Sequence, residues 1–291
     1  MDTVIDAAFR TALYLGAVLL LGAGVFRRFV GPELALQMRR TLRFGTIFGA
    51  LLLIFSSIGD VIWRVTALLG RFDGGFILEY TLATHHGRAT LVRLGLVIVV
   101  LVSSLKRRQN LEWLSGGLFA LSALGILGTF SFLSHAATLH GPPALLADLM
   151  HFSAATLWGG AVFYVSLSPA WQHEPTDEPA DEVLVTTMKR VSSLGLFCVL
   201  LLAATGLYAT LLHLGQPAQL VTTPYGLALT VKLALVGIIL GIAALNRWWF
   251  LPALHRGETR RLGQMLKLEA FILIVVFAAT GLLTTRAPPH T

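Results

Sequence analysis

Apolar runs of about twenty residues, the length of helix that crosses a hydrocarbon layer about 30 Å thick, recur along the whole chain. Eight are read, at roughly 4–26, 44–69, 87–105, 113–133, 145–168, 191–212, 225–245 and 266–284. Inside a bilayer each peptide group must find its partner within the protein, so runs of this length lead to helices. The expected fold is all-α: a polytopic membrane protein of eight transmembrane helices. Composition agrees, because 55% of the 291 residues are apolar and only 13% are charged, against about a quarter charged in soluble domains. The one cysteine, Cys198, lies within an apolar run. An intrachain disulfide and a Cys-based zinc site are thereby excluded.

Basic residues give the orientation. Arg27, Arg28, Arg39, Arg40 and Arg43 fill the first connection, Lys106, Arg107 and Arg108 the third, and Lys189 and Arg190 close the fifth. Arg247, Arg256, Arg260, Arg261 and Lys267 fill the seventh, whereas the fourth and sixth have no Lys or Arg. The positive-inside rule then puts the odd connections in the cytoplasm and both termini outside. The formal charge of +7 is therefore a record of topology, with some attraction to anionic membrane lipid. It does not point to nucleic acid. The first run reads as a retained helix, not a signal peptide, because Arg27 and Arg28 follow its apolar core.

The chain divides at a polar, Pro-containing stretch, 169–190, whose acidic first part reads as a solvated cytoplasmic linker; an acidic metal relay is the other reading. A weak internal repeat supports the division. Gly87 with Arg93 and Lys106 is matched by Gly226 with Lys232 and Arg247, and Arg43 with Gly59 by Arg190 with Gly206. Ala12 and Gly16 match Ala155 and Gly159, and Thr129 with His135 matches Thr280 with Arg286. The expectation is two four-helix units in parallel repeat, about 1–133 and 145–291. Along the chain, 1–168 holds the first unit plus the fifth helix, and 191–291 the last three helices.

Histidine placement carries the functional reading. His135 closes the fourth run, His140 sits in the Gly-Pro-Pro turn, and His151 opens the fifth beside Met150. His85, His86, His213 and His290 fall on the same, outer side, and only His173 and His255 fall inside. Imidazole and thioether bind copper and other late first-row metals, and polar groups in a membrane helix usually have a partner. His86, His135 and His151 are the candidate ligands of an outer-facing metal site, with Met150 and His213 as additional donors. Interfacial hydrogen bonding to carbonyls or water is the alternative for each of them, and is favoured for His140, His173, His255 and His290. Asp60, Arg93 and Lys232 are intramembrane polar groups, read as structural partners of one another, of Arg64, Glu79 or Asp148, or as steps on an ion path. Glu269 is expected to pair with Lys267 or Arg247, and Trp158 beside Gly159 and Gly160 to pack against His151. No nucleophile–base pair, phosphate loop or paired carboxylates appear, so no enzyme is expected.

At these residues the chain resembles the copper resistance protein D (CopD/PcoD) family of bacterial inner-membrane proteins. The matching features are Ser134-His135-Ala136, then His151 leading into Leu157-Trp158-Gly159-Gly160. Lys232-Leu-Ala-Leu running on to Ala244-Leu245-Asn246-Arg247 also matches. The resemblance implies passage of copper, Cu+ or Cu2+, across the inner membrane, contributing to copper homeostasis and resistance, with a separate periplasmic CopC-like copper carrier as partner. Uptake is the expected direction. A haem b electron carrier, with two of the outer histidines as axial ligands, is the alternative.

Overall fold

The computed structural model describes residues 2–29, 32–105, 112–172, 182–214, 216–254 and 259–289, without the side chains of 2, 29, 32–33, 105, 112–115, 135–140 and 172. The acidic part of the linker (173–181), His173, His255 and His290 lie outside the described residues. All described elements are helical. In order they are α1 (Asp2–Phe29), α2 (Pro32–Gln37), α3 (Arg39–Leu69), α4 (Gly74–Ala83), α5 (His85–Leu105), α6 (Glu112–Phe132) and α7 (His135–Ser166). They continue as α8 (Glu182–His213), α9 (Gln219–Thr222), α10 (Pro224–Leu245), α11 (Leu251–Ala253) and α12 (Thr259–Leu283), with a π-helix at Asn246–Phe250 between α10 and α11.

Among the described residues six helices are long and apolar enough to span a membrane: Thr3–Arg28, Arg39–Leu69, His85–Ser104, Glu182–His213, Pro224–Ala253 and Thr259–Leu283. The fourth and fifth expected spans coincide with α6 and α7, which are not among the six. The apolar part of α6 is the shorter stretch Gly116–Phe132. In α7 the run is diluted by Asp148, His151, Ser153 and Thr156, and the helix breaks at Gly141 (φ 74°) ahead of Pro142 and Pro143. Phe44, Phe55, Leu121 and Leu211 are each about 70% exposed. Large apolar side chains turned outward on several helices suit a surface that faces lipid.

Helix α1 is the centre of the packing, set against α3, α7 and α12. Small residues let the backbones close in. A Cβ on Gly160 of α7 would stand 2.5 Å from the Cα of Gly22, and one on Gly49 of α3 would stand 2.9 Å from the carbonyl oxygen of Gly16. A Cβ on Gly281 of α12 would collide with Thr11. One core fills the middle of the bundle around Leu20, Leu53, Val97, Ile126 and Trp158. A second, around Phe26, Met38, Tyr164 and Trp171, lies at the end remote from the chain termini. There Leu184, Val185 and Met188 are buried, so α8 begins inside the stretch expected to be linker. Their helical spacing offers the second core one apolar face.

Two elbows are built alike. Thr84 follows α4 and Thr223 follows α9, both with extended backbone. Each hydroxyl accepts the N–H three residues on, that of Gly87 or Gly226, at 3.0 Å. The same hydroxyls donate back to the carbonyls of Tyr80 and Gln219, at 2.7 and 2.8 Å. A side chain at Gly87 or Gly226 would run into the backbone of the preceding turn. The repeated glycine of the sequence is thus the residue over which a short helix folds back onto a long one.

Candidate metal site

Two polar clusters lie at the end of the bundle that carries the termini. The first joins α3, α5 and α6. Asp60 is 3% exposed, and both its oxygens accept from Arg64 Nε, one turn on, at 3.1 and 3.0 Å. His86, the second residue of α5, brings Nε2 to within 3.0 Å of Asp60 Oδ2. Its Nδ1 is buried without a partner. Arg93 does not ion-pair with Asp60 or Glu79. Its Nε donates to Thr129 at 2.8 Å, and its guanidinium lies 4.3 Å over the ring of Phe130. Hydroxyl and ring together stand in for a counter-charge.

The second cluster joins α7, α8 and α10. His151 Nδ1 is 2.9 Å from the Thr205 hydroxyl oxygen. That hydroxyl spends its proton on the carbonyl of Leu201, at 2.7 Å. With that proton on Leu201, Thr205 accepts from Nδ1–H, and the lone pair of a neutral His151 falls on Nε2. No hydrogen bond to Nε2 occurs among the described residues. Fixing one ring nitrogen through an oxygen while the other faces a ligand is how metal-binding histidines are usually set. One turn before His151, Asp148 has Ser134 as a hydrogen-bond partner, yet its Oδ2 is buried with none. Lys232 of α10 acts electrostatically on both Asp148 and His151 without forming a direct ion pair. Gly206 lies beside the imidazole, where a Cβ would be in ordinary van der Waals contact with it.

Between the clusters stands a trio of rings. Tyr14 of α1 lies 5.9 Å from Phe130 and 5.4 Å from Phe152, and those two lie 6.0 Å apart. Of the expected ligands, His86 and His151 therefore belong to different clusters. Met150 is 38% exposed, turned to another side of α7 than the neighbouring His151 by the roughly 100° step of the helix. His213 closes α8 against the ring of Tyr225, 6.0 Å away. It lies eight residues beyond Thr205, which is about 12 Å along the axis at the helical rise, so it and His151 sit at different depths. His135 begins α7 next to Ser134, and its side chain and that of His140 are outside the described set. Trp158 is 6% exposed in the central core, with Gly195 fitted against its ring. No group of three or more His, Cys, Asp or Glu side chains gathers among the described residues.

The sequence reading missed Thr205, which sets the tautomer of His151, and undervalued Asp148. A hydroxyl one residue before Gly206 carries no signal until α7 and α8 are seen to cross there. At the other end, Glu269 pairs with neither Lys267 nor Arg247. Asn246 Nδ2 donates to its Oε2 at 2.6 Å, while Arg247 turns to Ser192 of α8 at 2.7 Å.

Residues 1–145 match the family model described as copper resistance protein D-like, N-terminal domain, and residues 185–283 match copper resistance protein D. Copper resistance protein D of Pseudomonas syringae pv. tomato is 25% identical, over 99% of this chain and 98% of the relative. Inner membrane protein YebZ of Escherichia coli (strain K12) is 28% identical, over 73% of this chain and 72% of its own length. Copper transport protein CutJ of Bacillus subtilis (strain 168) is 26% identical, over 97% of this chain and 53% of that longer protein. No solved structure gives a significant match. Two consecutive family models and a full-length relative agree with the all-helical membrane architecture: the chain belongs to the copper resistance protein D family.

Proposed function

We propose that this protein carries copper inward across the bacterial inner membrane, and that the cluster around His151 is where the ion is received. The observation that carries the proposal is the paired availability of two donors. His151 presents a lone pair on Nε2 because Thr205 holds Nδ1–H, and the unpartnered Oδ2 of Asp148 lies one turn away. An imidazole with a carboxylate suits Cu2+ and accepts Cu+. Lys232 partly offsets the charge of Asp148, so an arriving ion competes with an ammonium and is held loosely enough to move on.

His213, at the mouth beside Tyr225, is the earlier station, and His135 lies close by through its neighbour Ser134. His86, set by Asp60, is a second station of the other half and does not share an ion with His151. Met150 is proposed to have no part in binding. In this reading the chain is two four-helix units in parallel repeat, as the matched elbows at Thr84 and Thr223 suggest, with both termini in the periplasm. A CopC-like carrier would then meet the ion-receiving end.

The test is uptake of copper by proteoliposomes of the purified protein. His151→Ala is expected to abolish it and His135→Ala to reduce it, whereas Met150→Leu should leave it intact. Uptake that survives both histidine changes overturns the site. Elemental analysis and the optical spectrum of the same preparation separate copper from haem, since a Soret band in the preparation would favour the electron carrier.

A further inference from the structure

A second polar site lies in the other half of the membrane, on the side of the basic connections. Glu269 stands near the inner end of the apolar run of α12, just after the run begins at about residue 266. It is 3% exposed, and Asn246 is 7% exposed. The only hydrogen bond to the Glu269 carboxyl among the described residues is the 2.6 Å one from Asn246 Nδ2. No lysine, arginine or histidine among the described residues forms an ion pair with it. An ionised carboxylate with one neutral donor, buried within the protein, is heavily penalised. Oδ1 of Asn246, meanwhile, is buried and has no donor. A neutral carboxyl removes the first cost and brings an O–H to the pair that lacks one. Facing acid and amide are complementary when the acid keeps its proton, the amide N–H meeting one oxygen and the acid O–H the amide oxygen.

The backbone places the pair deliberately. Helix α10 passes into a π-helix at Asn246–Phe250, closed by the Leu251 N–H on the Asn246 carbonyl. The wider turn directs Asn246 to α12 and Arg247 to α8, and such insertions cluster at functional sites. Among the described residues, the charged groups on the elements packed against the pair are bound elsewhere or exposed. Arg247 is bound to Ser192, and Arg27 and Arg28 at the end of α1 reach the carbonyls of Ser104 and Gly24. Arg260, Arg261 and Lys267 on α12 itself are exposed. The short helix at Pro169–Gln172 contributes Trp171, and the described inner ends of α7 and α10 contribute no charge.

We propose that Glu269 and Asn246 form a proton-binding site in the cytoplasmic half of the membrane, from which a proton exchanges as copper passes. The exchange is a simple transfer: Glu269 gives its carboxyl proton to water and takes one back, with no redox change. The coupling rests on the transport reading above, whereas the proton site does not.

Infrared difference spectroscopy of the purified full-length protein reads the site directly. The carbonyl stretch of a protonated carboxyl should be present at neutral pH, shift in D2O, and vanish in Glu269→Gln, which keeps the partner of Asn246. Absence of that band, or its persistence in the variant, overturns the proton site. In proteoliposomes an imposed pH gradient should alter copper uptake by the parent protein and leave that of Glu269→Gln unchanged. An equal response in both overturns the coupling. Should the parent take up no copper while the band is present and lost in Glu269→Gln, the transport reading falls and the proton site stands.

Discussion

His86 and His151 are the same side chain in two settings. Each has one ring nitrogen fixed by an oxygen and the other without a partner among the described residues. For His86 the oxygen belongs to Asp60, which also takes both contacts of Arg64. For His151 it belongs to a hydroxyl already donating to Leu201. Facing a carboxylate, His86 is committed through Nε2 to Asp60. Facing a saturated hydroxyl, His151 keeps a lone pair. Asp60 is fully engaged, whereas Asp148 has an oxygen to spare. The difference separates a cluster that binds the helices to one another from one that has capacity left for a guest.

Substitutions at the carboxylates should break the comparison most visibly. Asp60→Ala leaves Arg64 without its counter-charge and His86 without its hydrogen-bond partner, and removing one partner of a buried pair costs about 3–5 kcal/mol. A large fall in thermal stability in detergent is the expected result. Asp148→Asn, lacking a direct ion pair to lose, should barely move stability yet weaken copper binding in a titration. Equal destabilisation by the two would erase the distinction drawn between the clusters.

Thr205→Val comes next. It removes the oxygen that fixes the tautomer of His151, and loss of such an outer partner lowers metal affinity by about 10–100-fold. Copper titration of the variant checks this, with Thr129→Val beside Arg93 as the control expected to leave affinity unchanged. The smallest effects belong to the elbows. Thr84→Ala and Thr223→Ala each remove a capping hydroxyl, worth about 1 kcal/mol. Near-equal shifts in unfolding midpoint would support a shared origin of the two halves, and a clear inequality would count against it.

Much of this architecture was open to sequence reading because bilayer thickness dictates run length, so most helix positions follow from apolar content alone. Glycines 87 and 226 stood out only as matching repeat positions; that each lets the chain double back on a short helix came from the structure. Polar groups dilute α7 below the apolar level of a span because several of them face protein. Rotation about helix axes was less accessible. Apolarity on every side of α8 and α10 says nothing of which face meets α7, so Thr205 was not foreseen beside His151. His86 looked equivalent to His151 in depth, yet the rings of Tyr14, Phe130 and Phe152 stand between their clusters. The switch into a π-helix at Asn246 adds one residue to a turn, a change that no apolar pattern records.

The glycine contacts of α1 bear on how such a bundle can move. Gly16 meets α3, Gly22 meets α7, and Ala7 and Thr11 meet Gly281 of α12, so the first helix is gripped at three heights by partners from both ends of the chain. A rod held in that way can serve as an axle but not as a piston: its neighbours can swing around it by small angles, whereas sliding along it would drive backbone into backbone. Relative motion of its neighbours would accordingly be a matter of torsion about α1.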